Sequence, residues 1–594
     1  MSFNKPTFPG VYTRLVAEGP RTIAGVSTSI TVFVGKTKRG PISPTRIFNW
    51  LEFERIFGGI WIKSKLGYAV QDYFLNGGTE AIICRVFSKI PLDNDINITN
   101  LDGRTKFSLE NMFTLIARDP GDWSIYDIEI QVDNILKQEN RSDHINLEIH
   151  DKGRNIKETF RNLSLVEGNK DYIVDVLKSS SNLLRIESIS SSSIDPKPFL
   201  RLYRYDLGES GKQRTEAGES LFSSLKESGI FKDISEEAPA DSPDTDMSNL
   251  DEADTESYDQ LISFLGVIST DNQGNDGKEF LDDADVMGIR TDPQGANLLD
   301  DLDIDGEKVR MGLSVLDTVD LFNIVCIPPY NKEDNTPKDV YGNALQICDK
   351  RRAFLLIDSR STQTWNDLLK NSSQLLPSPH RNSAVFFPRV KKKDPSDDYK
   401  IKEYVPCGII AGIMARTDAN VGVWKAPAGY EAGIRGIAGL AMNLTDQQNG
   451  VLNIKGINCL MSKAVIGPVV WGARTRRGAD ELADPWRYIP VIRTALFIEE
   501  SLYRGTQWVV FEPNDEPLWS QIRLSIGGFM HSLFRKGAFQ GTSPKEAYFV
   551  KCDKETTTEY DRNNGIVNII VGFAPLKPAE FVLLTIQQIS EVPQ

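Results

Sequence analysis

Six cysteines (Cys84, Cys326, Cys348, Cys407, Cys459, Cys552) and four histidines (His144, His150, His380, His531) are the groups from which a metal centre or a thiol nucleophile would be built. The cysteines form no CxxC pair and come no nearer to one another than 22 positions. The histidines form no HExxH motif and no zinc spacing with cysteine. Apolar neighbours such as Asn458-Cys459-Leu460 point to buried free thiols, the state expected in a reducing compartment. Asp301-Leu-Asp303-Ile-Asp305-Gly306 imitates the start of an EF-hand loop. Its twelfth position, where a bidentate Glu is needed, is Gly312, so an acidic turn is the expectation and a calcium site is not.

Two further patterns invite chemistry. Gly429, Gly433, Gly436 and Gly439 suggest a phosphate loop, but neither GxGxxG nor GxxxxGK[ST] is spelled out, and turns or close backbone packing account for them. Tyr330, Asp358, Ser359 and Arg389 follow apolar runs and would sit at the carboxyl ends of parallel strands, where such sheets hold ligands. Asp358-Ser359 could seed a hydrolase. No histidine stands in a recognisable relation to Ser359 and no GxSxG elbow is present, so helix caps are the expected role. The reading assigns no catalytic, cofactor or metal residue.

Positioning elements change along the 594 residues, a length that suggests three or four domains at roughly 100–200 residues each. Net charge is −14, which disfavours nonspecific nucleic-acid binding. No apolar run approaches the length of a membrane helix, the best being Cys407–Ala415 with two glycines. Met1 to Gly19 lacks the apolar stretch of a secretory signal, so a soluble, non-exported chain is expected. Residues 236–307 hold 22 acidic residues against Lys278 and Arg290, a local net of −20, which leaves +6 for all the rest. This window, and above all residues 236–260, is expected to be water-facing and partly disordered.

Between residues 105 and 205, short alternating runs at Lys106–Leu109, Thr114–Ala117, Ile125–Val132 and Ile145–His150 predict a mainly β insertion. From Asp320, apolar strands at Leu321–Ile327, Ala353–Ile357 and Ala384–Phe387 alternate with helices at Asp339–Arg352 and around Trp365. That pattern predicts a parallel sheet buried on both faces. Pro490–Arg504 is read as a helix, Gln507–Phe511 as a strand, and Glu516–Lys536 as a helix capped by Asn514 or Asp515. Trp519, Ile522, Ile526, Phe529 and Leu533 form its apolar stripe. The chain ends carry strands that need partners. Val11–Val16 alternates on a Pro/Gly-flanked arm; Val567–Phe573 and Glu580–Ile589 end the chain, the latter apolar on both faces. Each either pairs within its own domain or adds to the sheet of another chain.

Several motifs in one order resemble contractile tail sheath proteins of phages and phage-tail-like injection systems. They are Trp471-Gly-Ala-Arg-Thr475, Asp484-Pro-Trp-Arg-Tyr-Ile-Pro-Val491, Leu496-Phe-Ile-Glu-Glu-Ser-Leu502 and Gly505-Thr-Gln-Trp-Val-Val-Phe-Glu-Pro-Asn514. Upstream stand Lys425-Ala-Pro-Ala428, Asn443-Leu-Thr445 and Gly456-Ile-Asn458. Near the start come Pro9-Gly-Val-Tyr12, Gly25-Val-Ser-Thr-Ser29 and Phe33-Val-Gly35. The likeness covers roughly residues 8–90 and 310–590.

This resemblance implies a non-enzymatic, cofactor-free structural subunit of mixed α/β and α+β class. Residues 1–20 would be an N-terminal linker arm, and 21–94, 311–478 and 479–594 the sheath core and C-terminal sheath domain. Residues 95–310 would be an inserted outer domain. Subunits would stack as six-membered rings around an inner tube, contact baseplate and terminator or cap proteins, and contract without nucleotide, nucleic acid or membrane insertion. Assembly would be cytoplasmic, ending in a phage tail or tail-like particle. The implied linker strands are Val11, Tyr12, Thr13, Arg14, Leu15 and Val16 at one end, and Phe581, Val582, Leu583, Leu584, Thr585 and Ile586 at the other. Arg523, Arg535 and Lys536 are implied tube contacts, unless their helix is a core helix whose charges meet only solvent. The alternatives are a baseplate or cap protein, a type VI secretion-like sheath component, or a hydrolase using Asp358 and Ser359.

Overall fold

The computed structural model describes residues 22–87, 104, 106–109, 113–120, 127–131, 144–151, 155–189, 281–291, 297–299, 301–304 and 307–581. An eight-stranded sheet is its centre. The strands are β1 (Thr31–Gly35), β2 (Thr45–Ile47), β3 (Ala81–Arg85), β4 (Ile324–Cys326), β5 (Phe354–Asp358), β6 (Ser383–Phe387), β7 (Ile457–Lys463) and β8 (Gly467–Val470). Their order is β2-β3-β1-β4-β5-β6-β7-β8. Phe33 lies opposite both Ile83 and Cys326, and parallel pairing continues from β3 through β7. The antiparallel β2 and β8 close the two edges.

Burial on both faces explains why these strands read as continuous apolar runs. Alternate residues part company across the sheet. Phe33, Ile83, Cys326, Phe354, Leu356, Ala384 and Phe386 face α1 (Trp50–Phe57), α2 (Leu66–Leu75) and α5 (Cys407–Asn420). Val32, Val34, Ile82, Val325, Leu355, Ile357, Val385 and Phe387 face α3 (Lys338–Arg351), α4 (Trp365–Leu375) and α6 (Asp446–Ile454). The nine-residue apolar run Cys407–Ala415 is therefore a helix covered all round, as an unstriped apolar helix must be. Its glycines let α5 touch α2: a Cβ on Gly408 would lie 2.0 Å from the Ala69 carbonyl oxygen. No described helix is long and apolar enough to cross a membrane.

Polar groups buried beside α2 are paired. Asp72 meets the Lys392 ammonium, and Tyr68 donates to Asp394 at 2.6 Å. Lys392 belongs to a small antiparallel sheet in which Val390–Lys393 lies between Ile401–Tyr404 and Gly439–Leu440.

In the insertion, Lys106–Leu109, Phe113–Ala117 and Leu184–Ile189 form one antiparallel sheet. Asp127–Gln131, His144–Asp151 and Ile156–Ser164 form a second. Phe107, Phe113, Leu115, Ile128, Leu147 and Leu163 pack between them. Arg85 ties this body to the main sheet by donating to the carbonyls of Gly40 and Pro120 at 2.8 and 2.9 Å. The EF-hand-like stretch is a hairpin, Asp301–Ile304 pairing antiparallel with Glu307–Arg310. Residues 236–260 lie outside the described residues.

Two sequence expectations are corrected. The strand read at Leu321–Ile327 is only Ile324–Cys326, because Asn323 turns its carbonyl to Phe354 N and its side chain to Ile30 N. Gln507–Phe511 is not a strand: Gln507–Val509 is a 3-10 turn, with Val509 N bonded to Thr506 O and Val510 N to Gln507 O. Among the described residues no strand pairs with this β-branched run, and the preceding helix winds down instead.

Overpacking at the α2–α5 crossing should be costly. Gly408→Ala is expected to lower stability by about 1–3 kcal/mol, read from thermal or urea unfolding. An unchanged midpoint would contradict this close approach.

Candidate assembly site

The carboxyl edge of the sheet brings three of the four sequence candidates together and wires them internally. Asp358 Oδ1 accepts from Cys407 N at 3.1 Å, so this carboxylate caps α5; the helix that follows it in sequence is capped by Thr364. Arg389 Nε donates to Ser359 O at 3.0 Å, and its Nη atoms bind the carbonyl and carboxylate of Asp334. Tyr330 turns away to Asp283. Burial pushes the Asp358 carboxyl up to about 7. Ser359 has no hydrogen-bonding base among the described residues, and His380 is occupied by Asp349. No cluster of His, Cys, Asp and Glu fit to hold a metal occurs among the described residues, and all six cysteines are buried and free.

The C-terminal part is arranged differently. Helices α7 (Ile489–Gly505) and α8 (Glu516–Arg535) lead to two strands, β9 (Tyr548–Lys551) and β10 (Ile570–Phe573). Asp515 caps α8 by accepting from Leu518 N at 3.3 Å, and Pro517 sits in the first turn, where its missing N–H costs nothing. The stripe Trp519, Ile522, Ile526, Phe529 and Leu533 is buried, with Tyr548, Val550, Val571 and Phe573 packed against it. The opposite face of α8 exposes Gln521, Leu524, Gly528, His531, Arg535 and Lys536. Arg523 is turned inward, donating to the Cys552 carbonyl and to Glu516. Arg535 and Lys536 make no intrachain ion pair among the described residues.

Among the described residues β9 and β10 pair only with each other, Tyr548 opposite Phe573 and Val550 opposite Val571. Among the described residues no third strand runs along either outer edge of this ladder, the Phe539–Pro575 bridge and the Gln540 N to Ala574 O bond lying just past β10, and Phe549 and Ile570 are half-exposed beside the edges. A lone two-stranded ribbon is marginal and its edges are templates for further strands.

The roots of both chain ends are held nearby. At the N-terminal side Ile23 packs on Gly505 and Gly25 on Phe497, while Val26 N donates to Ser501 Oγ at 3.2 Å. Arg493, buried, forks onto Asp418 at 2.9 and 2.6 Å and donates to Thr28 O at 2.8 Å. At the C-terminal side Ala574 is pinned by Ala547 O and Gln540 N. Farther on, Glu580 receives the guanidinium of Arg474 at 2.8 and 2.5 Å. Glu580 is a fixed root and not the first residue of a strand, and Phe581 beyond it is 76% exposed. Of the remaining linker residues, Val11–Val16 and Val582–Ile586 lie outside the described residues.

A model of the phage tail sheath protein central domain matches residues 314–476, and one of the phage tail sheath C-terminal domain matches residues 482–589. Residues 314–476 and 482–589 thus carry the two tail sheath domains. The tail sheath protein of Vibrio phage KVP40 is 29% identical over 185 residues, 30% of this chain and 26% of that protein. That of Enterobacteria phage T4 is 26% identical over 188 residues, 31% and 27% of the two chains. The match therefore spans about a quarter of these relatives' length. The fold is that of a sheath subunit solved in the contracted state of an extracellular contractile injection system (PVC). That structure has a TM-score of 0.53 at 17% identity over 99% of each chain.

Within this sheath fold, three features escaped sequence reasoning. The Arg493–Asp418 and Arg474–Glu580 pairs join residues 75 and 106 positions apart, beyond any periodic signal, although Arg474 stands in the Trp471–Thr475 motif. Phe511, fully exposed with a left-handed φ of 71°, follows the turn that had been read as a strand.

Two outcomes follow for the sheath subunit itself. Removing one partner of the buried pair, as in Arg493→Met, should cost about 3–5 kcal/mol in urea unfolding. A loss within error would show that the N-terminal root is held by other contacts. The native Asp358 carboxyl keeps its proton to about 7, while the unfolded one loses it near its ordinary value of 3.8. The folded state therefore holds the extra proton in between, and stability should fall as pH rises across that window. Asp358→Asn should flatten this slope; an unchanged slope would mean the carboxylate is ionised in the fold.

Proposed function

We propose that this chain is a structural subunit of a contractile sheath, polymerising around an inner tube and shortening to drive that tube through a target envelope. The observation that carries the reading is the β9–β10 ribbon. Among the described residues no third strand runs along either of its edges, and the segments that lead to the two chain ends are rooted nearby. Strand addition needs only backbone groups, resists pulling and leaves side chains free to vary. Strands given by one copy to the next would hold copies together while their globular parts swing.

The Val11–Val16 and Phe581–Ile586 strands are proposed as the exchanged ones. A head-to-tail contact of this kind does not close on itself between rings and so builds a filament. Six-membered rings, the tube protein, the baseplate and a terminal cap complete the proposed partners, as the family resemblance implies. Contraction is a passage between two packings of the same subunits, with no catalytic step. Assembly in the cytoplasm and residence in a tail or tail-like particle follow from the same reading. The insertion of residues 95–310, with its net −20 window, is proposed to decorate the outer surface. The exposed face of α8 is proposed to meet the tube. Arg535 and Lys536 supply its charges, and Arg523 is its third candidate cation, placed at its inward side.

Deleting residues 1–20 should leave the melting temperature of the isolated subunit unchanged, because an exchanged strand finds its partner only in another copy. The same deletion should abolish long hollow cylinders in negative-stain electron microscopy. Full-length cylinders from the truncated chain would overturn the exchange. Reversing Arg535 and Lys536 to Glu should reduce co-sedimentation with the cognate tube at least several-fold; undiminished decoration of tubes would remove the assignment of α8.

A further inference from the structure

Arg474 is spent in an unusual way. It is 1% exposed, yet it follows the edge strand β8 instead of lying under the sheet. Its Nη1 donates to the carbonyls of Asn453 and Gly478 at 3.0 and 3.1 Å and to Asp480 at 2.9 Å. Nε and Nη2 are left, and both go to Glu580, with Tyr488 Oη 3.3 Å from the same carboxylate. A guanidinium fork fixes the plane of a carboxylate as well as its position. The chain has therefore built a receptor around a buried guanidinium for a carboxylate 106 positions farther along.

The stretch that brings Glu580 there is stiff. After Phe573 the backbone is pinned at Ala574, whose N donates to Ala547 O and whose O accepts from Gln540 N, and Pro575 bridges Phe539. Pro575 and Pro578 then hold φ near −65° and remove two donors, which suits a strap and not a ladder strand. The strap runs from the C-terminal ribbon to the segment after β8, so its two pins lie on different parts of the fold. Phe581, the next residue, is exposed.

We propose that Arg474 is a positioning residue that sets where, and in what direction, the C-terminal arm leaves the subunit. Glu580 is the handle it grips. The inference rests on the proposed strand exchange, in which an arm aimed at a fixed point meets its neighbour without first searching for it. When the Glu580 carboxylate is lost, Arg474 keeps the carbonyls of Asn453 and Gly478 and the carboxylate of Asp480, so its charge is not left uncompensated as that of Asp418 is when Arg493 is removed. Loss of the carboxylate therefore need not unfold the domain.

The test uses the full chain with spin labels at Val582→Cys and at exposed Lys554→Cys; the six native cysteines are buried. In the otherwise unchanged chain the distance distribution should be narrow. In Glu580→Ala it should broaden at least about twofold, and cylinder yield should fall about tenfold, with the thermal midpoint unmoved. Glu580→Gln, which keeps the shape and one acceptor, should fall between. An equally narrow distribution in Glu580→Ala, or cylinders at full yield, overturns the proposal. So does a fall in midpoint that tracks the loss of cylinders, which would make the pair merely structural. Broadening in Glu580→Ala when even the unsubstituted chain makes no cylinders would sink the strand exchange while the grip on the arm stands.

Discussion

Backbone groups at the edges of a β-ladder must find partners or water, and β9–β10 offers two such edges on a ribbon too narrow to stand alone. The rest of the C-terminal part can be understood from that constraint. Helix α8 supplies the apolar stripe that backs the ribbon's inner face, and α7 supplies the surface along which the N-terminal segment is laid down. Under the proposed exchange, the strands that complete the ribbon come from other copies of the chain.

The main sheet explains how such ends can be held firmly. β1 and β3 come from the first part of the chain, and β1, paired with β3 on one side, pairs on the other with β4 across an insertion of more than two hundred residues. The N-terminal root thus continues directly into the middle of a sheet buried on both faces, and Arg493 with Asp418 locks it just before that sheet begins. A pull on the N-terminal arm would reach the centre of the fold. On the other side the Arg474–Glu580 pair and the proline strap pass tension from the C-terminal arm to the region after β8. Buried ion pairs are poor sources of net stability but good at specifying one geometry, and here they stand where geometry matters.

Much of this was legible in the sequence for physical reasons that can be named. Strands β4, β5 and β6 announce themselves because burial on both faces demands unbroken apolar runs, and α8 because its stripe repeats every three or four residues. Motif order gave the family. What could not be read was set by pairing across long separations. Nothing local distinguishes Asp358, which caps a helix 49 residues away, from a residue capping the next one. Gln507–Phe511 has strand composition, and only the absence of a neighbour turns it into a helical ending. The grip of Arg474 on Glu580 depends on a fold that brings position 580 back to position 474.

A cryo-EM map of the assembled cylinder, traced residue by residue, tests the central claim most directly. The account predicts that β9 and β10 become the inner pair of a wider sheet whose outer strands follow back into two other subunits. If those outer strands instead belong to the same chain, or if the ribbon stays two-stranded in the assembly, neighbouring copies are held by something else.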